Sequence, residues 1–300
     1  MSSEKAEFRI IHYLGDYNPM FSNMWVLESW MFCSNAYILR DEETDEIAMI
    51  DVGNDKALMN EMHKLGLNIK NVTKIVLTHG HIDHVGGLMD VFYYSTPEVY
   101  IHQLDLPYAD FYDLFDMMQV PRENLKLLRG GETLDILGGV NILHTPGHTP
   151  GSICVYHPKT QILFTGDAVG EIFVNPTDPV GFLEINLRSL EWVLERGVRY
   201  LFPGHGRPSF EEKRSLEIMR KQIKGTKDAL CYCLVSEGKK LMEMERYDAA
   251  LRNFERAIEI NPEYEDAYIG KGFALVGLGR SEEALQIEAF RRKVAEMQKK

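Results

Sequence analysis

The chain has 300 residues, 45% of them hydrophobic, and a formal net charge of −12. That length suits one large domain or two with an ordinary buried core, and the acidity opposes a broad phosphate-backbone footprint, so no nucleic-acid partner is expected. No apolar run approaches the roughly 18 residues of a membrane span, and the start, Met1-Ser2-Ser3-Glu4-Lys5-Ala6-Glu7, lacks the basic-then-apolar layout of a signal peptide. Cys33, Cys154, Cys231 and Cys233 show no disulfide framework. The expectation is a cytoplasmic protein with no membrane partner, its cysteines reduced, mostly buried and not metal ligands. Cys231 and Cys233, two apart in a predicted helix, face different ways.

In chain order, residues 8–13, 34–40 and 46–51 read as strands. An aromatic-rich stretch from Tyr17 to Phe32, with Met20, Phe21, Trp25, Trp30 and Met31, lies among them. Residues 55–65 read as an amphipathic helix ended by Gly66, with His63 on its surface. Strand 73–77 follows, then a polar loop and a short helix whose start Gly86 and Gly87 allow to pack closely. Val99 to His102, Val140 to His144, Ser152 to Tyr156 and Gln161 to Thr165 are strand-like. A second aromatic stretch, Leu104 to Met118, holds Tyr108, Phe111, Tyr112 and Phe115. Each aromatic stretch reads either as core packing or as a pocket rim or subunit interface. Leu187 to Arg196 reads as a helix ended by Gly197. His12 and His157 fall at strand ends or turns; His102 and His144 read as packing residues near a pocket. Strands and helices so interleaved belong to the α/β class.

The polar loop is Thr78-His79-Gly80-His81-Ile82-Asp83-His84, directly after the apolar run Lys74-Ile75-Val76-Leu77. Three imidazoles and a carboxylate at the end of a buried strand build a poor core and a good metal site, because zinc, iron and manganese accept imidazole nitrogen and carboxylate oxygen. Positions i and i+2 of an extended chain point the same way, so His79 and His81 can share one ion. Asp83 and His84, where the chain must turn, can serve a second; Asp83 also reads as a capping carboxylate or one behind the ligands. Three more candidates, His148, Asp167 and His205, each end an apolar segment immediately after a glycine. Glycine there permits an abrupt turn and close approach to an ion.

The set His79-x-His81-x-Asp83-His84, His148, Asp167 and His205 resembles the metallo-β-lactamase superfamily in its glyoxalase-II-like, dinuclear form. The resemblance covers roughly residues 8–210. It takes in Asp51 in Ala48-Met49-Ile50-Asp51-Val52-Gly53, Gly130-Gly131-Glu132-Thr133-Leu134, and Thr145-Pro146-Gly147-His148-Thr149-Pro150-Gly151-Ser152. It implies an αββα sandwich. It also implies that His79, His81 and His148 hold one metal, that Asp83, His84 and His205 hold the other, and that Asp167 bridges them. The ions would be two divalent metals, zinc by preference, with iron or manganese accepted. Asp51 would orient the ligand loop from behind; on the residues alone it also reads as a turn carboxylate before Gly53. His81 stands where flavodiiron relatives carry Glu, which points to hydrolysis. Members of one nuclease branch of the family carry a large inserted domain between the positions of Asp167 and His205, and residues 168–204 are too few for one.

After about residue 210, helix formers and charge replace glycine and strand patterns. Leu234, Gly238, Leu241 and Ala250 recur 34 residues later as Tyr268, Gly272, Leu275 and Ala284. With Phe254, Ala257 and Pro262 between them, this resembles the tetratricopeptide repeat. The first copy spans 231–264; the second, 265–298, departs at Glu288, where a large aromatic is usual. The predicted organisation is a hydrolase domain over 1–210, a connecting helix over 211–230 and all-helical repeats over 231–300. Two repeats bury their own faces poorly, so this segment is expected to dock, either as a stabilising cap or self-association element or as a groove for a protein partner.

The implied reaction is attack on a carbonyl carbon by a metal-bridging hydroxide, with one metal polarising the carbonyl oxygen and Asp83 relaying a proton. The expected substrate is a small acyl thioester or ester. Lactone hydrolysis by the same site is the alternative. Behind these stand a one-iron persulfide dioxygenase, disfavoured by a complete second ligand set, and an adaptor working through the repeats. The basic residues by which glyoxalase II grips glutathione cannot be matched one by one in the repeat-like region, which weakens a glutathione reading.

Overall fold

The computed structural model describes residues 11–28, 33–53, 57–106, 120–170 and 180–298. The strands β3 (Ala36–Arg40) and β4 (Ile47–Ile50) are buried at nearly every position, as strands covered on both faces must be. They lie inside a seven-stranded sheet that runs in chain order from β1 (Ile11–Tyr13) and β2 (Met24–Leu27) through β3 and β4 to β5 (Val72–Val76), β6 (Glu98–His102) and β7 (Leu125–Leu128). Pairing is antiparallel up to β4 and parallel beyond it. A five-stranded sheet has the order β12 (Tyr200–Pro203), β11 (Ile162–Gly166), β10 (Ile153–His157), β9 (Val140–His144), β8 (Thr133–Leu134), with only β11 and β12 parallel.

The pleat sorts the side chains. Tyr37, Leu39, Ala48, Ile50 and Val76 point from the first sheet into a core shared with Ile142, Ile153, Val155, Phe164 and Phe202 of the second. Their alternates Ile38, Met49 and Ile75 point outward against α1 (Ala57–Lys64), α2 (Ile82–Val85) and α3 (Leu88–Phe92), through Leu58, Met62, Val85, Leu88 and Val91. Gly87 sits so close to the Val52 carbonyl that a Cβ would overlap it, as the predicted tight packing there requires. Within the first aromatic stretch, Phe21 packs edge-on against Tyr200 and Tyr17 stacks on Phe210. Phe21 serves the core, whereas Tyr17 and Met20 are exposed; residues 29–32, and 107–118 of the second stretch, lie outside the described residues, as do positions 8–10 and 55–56 of the predicted first strand and helix.

The helix predicted over 187–196 is α4, Val180–Leu194, and it begins seven residues earlier than expected. Leu183, Leu187 and Leu190 form a buried row at helical spacing, which Gly181 disguises in the sequence. Gly197, with φ +72°, closes the turn after it.

The chain divides into two compact units, one of residues 1–172 and 188–220, the other of 173–187 and 221–300. Helix α5 spans Glu212–Glu243; α6 (Tyr247–Ile260), α7 (Glu265–Gly277), α8 (Ser281–Ala284) and α9 (Glu288–Met297) follow. In the helical unit, Phe254 fills a notch made by Gly238 and Gly270; a Cβ on Gly238 would lie 2.7 Å from the ring. Gly272 takes Phe290 in the same way. Phe290 follows Gly272 by two residues more than Phe254 follows Gly238, and the break between α8 and α9 absorbs the difference. The aromatic that Glu288 fails to supply is therefore delivered two positions later. Cys231 is buried and donates to the Ala257 carbonyl at 3.3 Å, whereas Cys233 is half-buried. Among the described residues no helix is long and apolar enough to cross a membrane.

Candidate metal centre

Strands β4 and β5 of the first sheet and β11 and β12 of the second are each followed by side chains that converge at one rim. Strand β4 ends in Asp51, which is buried with a left-handed φ of 54°. Its Oδ1 accepts from the Thr78 N–H at 2.8 Å and its Oδ2 from the Thr78 hydroxyl at 2.7 Å. The same Oδ2 is 2.8 Å from His84 Nδ1, so the other nitrogen of that ring, Nε2, is aimed away from Asp51 and into the site. The chain leaves β5 through Thr78 and His79, extends through His81 and turns into α2, which carries Asp83 and His84. His148 comes from the β9–β10 loop, Asp167 from the end of β11 and His205 from the end of β12.

These seven side chains form three overlapping groups: His79, His81 and His148; His79, His84 and Asp167; Asp83, His84 and His205. Within each, the donor atoms lie within 4.8 Å of one another. His81 Nδ1 is 3.0 Å from His79 Nε2 and 2.9 Å from His148 Nε2. Asp83 Oδ2 is 3.0 Å from His205 Nε2. Asp167 lies between the sets: Oδ2 is 3.5 Å from both His148 and His205, and Oδ1 is 3.3 Å from His84 Nε2. His84 Nε2 and Asp167 Oδ1 are buried without a hydrogen-bond partner, which an ion between them would satisfy. Imidazole nitrogens and carboxylate oxygens in this number fit divalent zinc, iron or manganese.

A model of the metallo-beta-lactamase superfamily matches residues 32–205, more than half of the chain. The chain belongs to the metallo-beta-lactamase superfamily. A tetratricopeptide-repeat model matches residues 241–287 of the helical segment. A protein of Aquifex aeolicus is 34% identical over 143 residues, 44% of this chain and 64% of that protein, so the chain spans less than two thirds of this relative. The hydroxyacylglutathione hydrolase GloC of Haemophilus influenzae is 29% identical over 187 residues, 56% of this chain and 82% of that protein. Among solved structures, TTHA1623 in a di-iron-bound form superposes with a TM-score of 0.51 at 28% identity, covering 64% of this chain and 96% of that one.

The electrostatics of this metallo-beta-lactamase rim divide a floor from a mouth. Burial, aided by the surrounding imidazoles, holds His79 well below the usual histidine range. Burial also disfavours charge on His84, but the Asp51 and Asp167 carboxylates outweigh it and raise its pKa to about 10. Burial opposes the charge of Asp167, yet contact with His84 and the other imidazoles brings its pKa down to about 2. Asp83 is lowered in the same sense, its burial outweighed by His205 and His84, and His205 is raised by its bond to Asp83. His84 and Asp167 lie deep, with side-chain exposures of 0% and 8%, whereas Asp83 and His148 reach 26% and 28%. The carboxylates thus call for positive charge in their midst, which a divalent cation supplies without protons.

Two residues not singled out from the sequence hold this arrangement. Asn35 Nδ2 donates to the carbonyls of Pro203 at 2.9 Å and Gly206 at 2.8 Å, bracketing His205. Asp105 bonds to the loops of His79, His81 and His148. Asp105 lies just past the apolar strand β6, the position that marked Asp51 after β4, whereas Asn35 precedes its strand and carries no such signal. Among the other histidines, His63 is exposed and His102 stacks on His144 at 4.0 Å. His157 ends β10 as a buried packing residue; His12 lies within β1. Glu132 caps its glycine turn by accepting from the N–H groups of Arg129 and Gly130.

Proposed function

We propose that this chain is a dinuclear metal-dependent hydrolase of small acyl thioesters or esters. The observation that supports it above others is the convergence of seven donors in overlapping groups, with Asp167 between the two sets. His79, His81 and His148 would hold one cation and Asp83, His84 and His205 the other, with Asp167 placed between the two sets. Zinc suits these donors, and the di-iron-bound relative supports a two-ion reading and keeps iron open. Two cations bound there supply a water of lowered pKa and a Lewis acid for a carbonyl oxygen.

The chain's own residues do the rest. His79 and His84 form a dry floor, so substrate reaches the site from the side of His148, Asp83 and His205, where exposure is greatest. Asp51 fixes the tautomer and direction of His84 through Nδ1. Asp83, the carboxylate nearer the opening and ionised at rest, would accept the proton released by the attacking water and hand it to the departing leaving group. GloC supports a thioester as the scissile bond. Residues 231–300 serve as a cap, a self-association element or a docking surface for a protein partner.

The deciding experiment measures metal content and hydrolysis on one sample, with panels of thioesters and lactones. About two metals per chain with thioester cleavage supports the proposal. Lactone cleavage alone moves the substrate class. One iron per chain, no hydrolysis and oxygen uptake on a persulfide would overturn it. His81→Ala should lose metal and activity together.

A further inference from the structure

Every donor sits on a loop, and a constellation is only as well placed as the groups that hold its loops. Asp105 follows β6 and is fully buried. Its backbone N–H donates to the His102 carbonyl at 2.9 Å, which fixes it to the strand end. Its Oδ1 accepts from the Gly151 N–H at 2.6 Å; its Oδ2 accepts from the Gly80 N–H at 2.9 Å and the Thr149 hydroxyl at 2.7 Å. Gly80 stands between His79 and His81, Thr149 adjoins His148, and Gly151 closes the same turn. The approach is close enough that a Cβ on Gly151 would lie 2.6 Å from Oδ1.

A buried carboxylate is expensive unless its oxygens are well satisfied. All three donors that satisfy this one come from the two loops carrying His79, His81 and His148. Asp51 instead reaches His84, and Asn35 the carbonyls beside His205. Asp51 also holds Thr78 beside His79, but of these three residues Asp105 alone bonds to both the His79–His81 loop and the His148 loop. We infer that Asp105 is the positioning residue of the His79–His81–His148 triad, keeping both loops where His79 Nε2 and His148 Nε2 meet His81 Nδ1. This rests on the metal-binding reading above.

The test is a cobalt(II) titration of chelator-stripped full-length chain, read by absorption. Wild type, Asp105→Asn and Thr149→Val are compared, each alone and in His148→Ala and His205→Ala backgrounds. Asparagine keeps the size of Asp105 but replaces an acceptor edge with N–H groups. Asp105→Asn should weaken one of two ions by about 10–100-fold, the range for groups that orient ligands. It should add nothing to His148→Ala, which already lacks the triad, and should weaken the remaining strong binding in His205→Ala by the same factor. Thr149→Val, which removes the hydroxyl bonds to Asp105 and Ser152 and leaves the charge, should weaken the same ion less. Unchanged binding by Asp105→Asn, or equal losses in both backgrounds, overturns the inference while leaving the metal reading intact. If Asp105→Asn does not fold, Thr149→Val decides: weakening of the ion lost in His148→Ala supports the inference, and wild-type affinity overturns it. A wild-type chain that takes up no cobalt defeats the metal reading first and the inference with it.

Discussion

Asp51 shows at the residue scale how much of the rim depends on single contacts. Its left-handed backbone is one that Asn tolerates, so Asp51→Asn removes the charge and one acceptor facing Thr78 and His84 without straining the turn. We expect roughly 10–100-fold weaker binding of the cation at His84 by competition with a chelating dye; wild-type affinity would count against an orienting role. His157 makes a different prediction. Its Nε2 faces the Leu137 carbonyl at 3.1 Å, its Nδ1 the Thr160 hydroxyl at 2.7 Å, and burial lowers its pKa. A lowered histidine pKa means the folded state favours the neutral ring. That stability is present above the unfolded pKa of about 6.5 and is lost as pH falls towards the folded value. Unfolding free energy measured from pH 7 to 5 should therefore fall less steeply in His157→Gln; parallel curves would refute this. The metal-ligand candidates were legible in the sequence because each stands in a short motif beside a strand. Asp105 and Asn35 were not, because their roles exist only through partners 25–46 and 168–171 residues away.

The same distinction holds for elements. Strands β3 to β6 and β9 to β11 were readable because buried strands are continuous apolar runs. The early start of α4 was missed because Gly181 weakens its first turn, although the leucine row at 183, 187 and 190 was in view. The second repeat is the more instructive case. The 34-residue period predicts an aromatic at 288, whereas the core receives Phe290, and the break between α8 and α9 makes up two residues. Deleting Leu285 and Gln286, both exposed, should restore the period, join α8 to α9 and raise helicity by circular dichroism while keeping a cooperative transition. Loss of cooperativity would show that the break has another cause. Phe254→Ala, which empties the notch at Gly238 and Gly270, should cost about 3–5 kcal/mol in chemical denaturation.

On the scale of the whole molecule, the rim joins the two sheets. Asp51 and the segment from His79 to His84 follow strands of the first; His148, Asp167 and His205 follow strands of the second. Asn35, Tyr37 and Asp105 already bond across the two sheets near this rim, and cations held by both sets would add a cross-link between layers that share no strand. Linkage sets the size of the effect: at free metal about 1,000 times the dissociation constant, one site adds about 4 kcal/mol to the folded state. For a unit of some 200 residues that is a shift of about 8–16 °C. Trp25, Trp30 and Trp192 all fall within 1–172 and 188–220, so tryptophan fluorescence follows the sheet-bearing unit and not the repeats. Chelation should lower that fluorescence midpoint in the wild type, and restoring zinc should recover it. In His205→Ala, which leaves the second sheet with His148 and Asp167, the shift should shrink without vanishing. A midpoint indifferent to chelator would mean that the rim holds its seven donors in place without any ion to tie the sheets together.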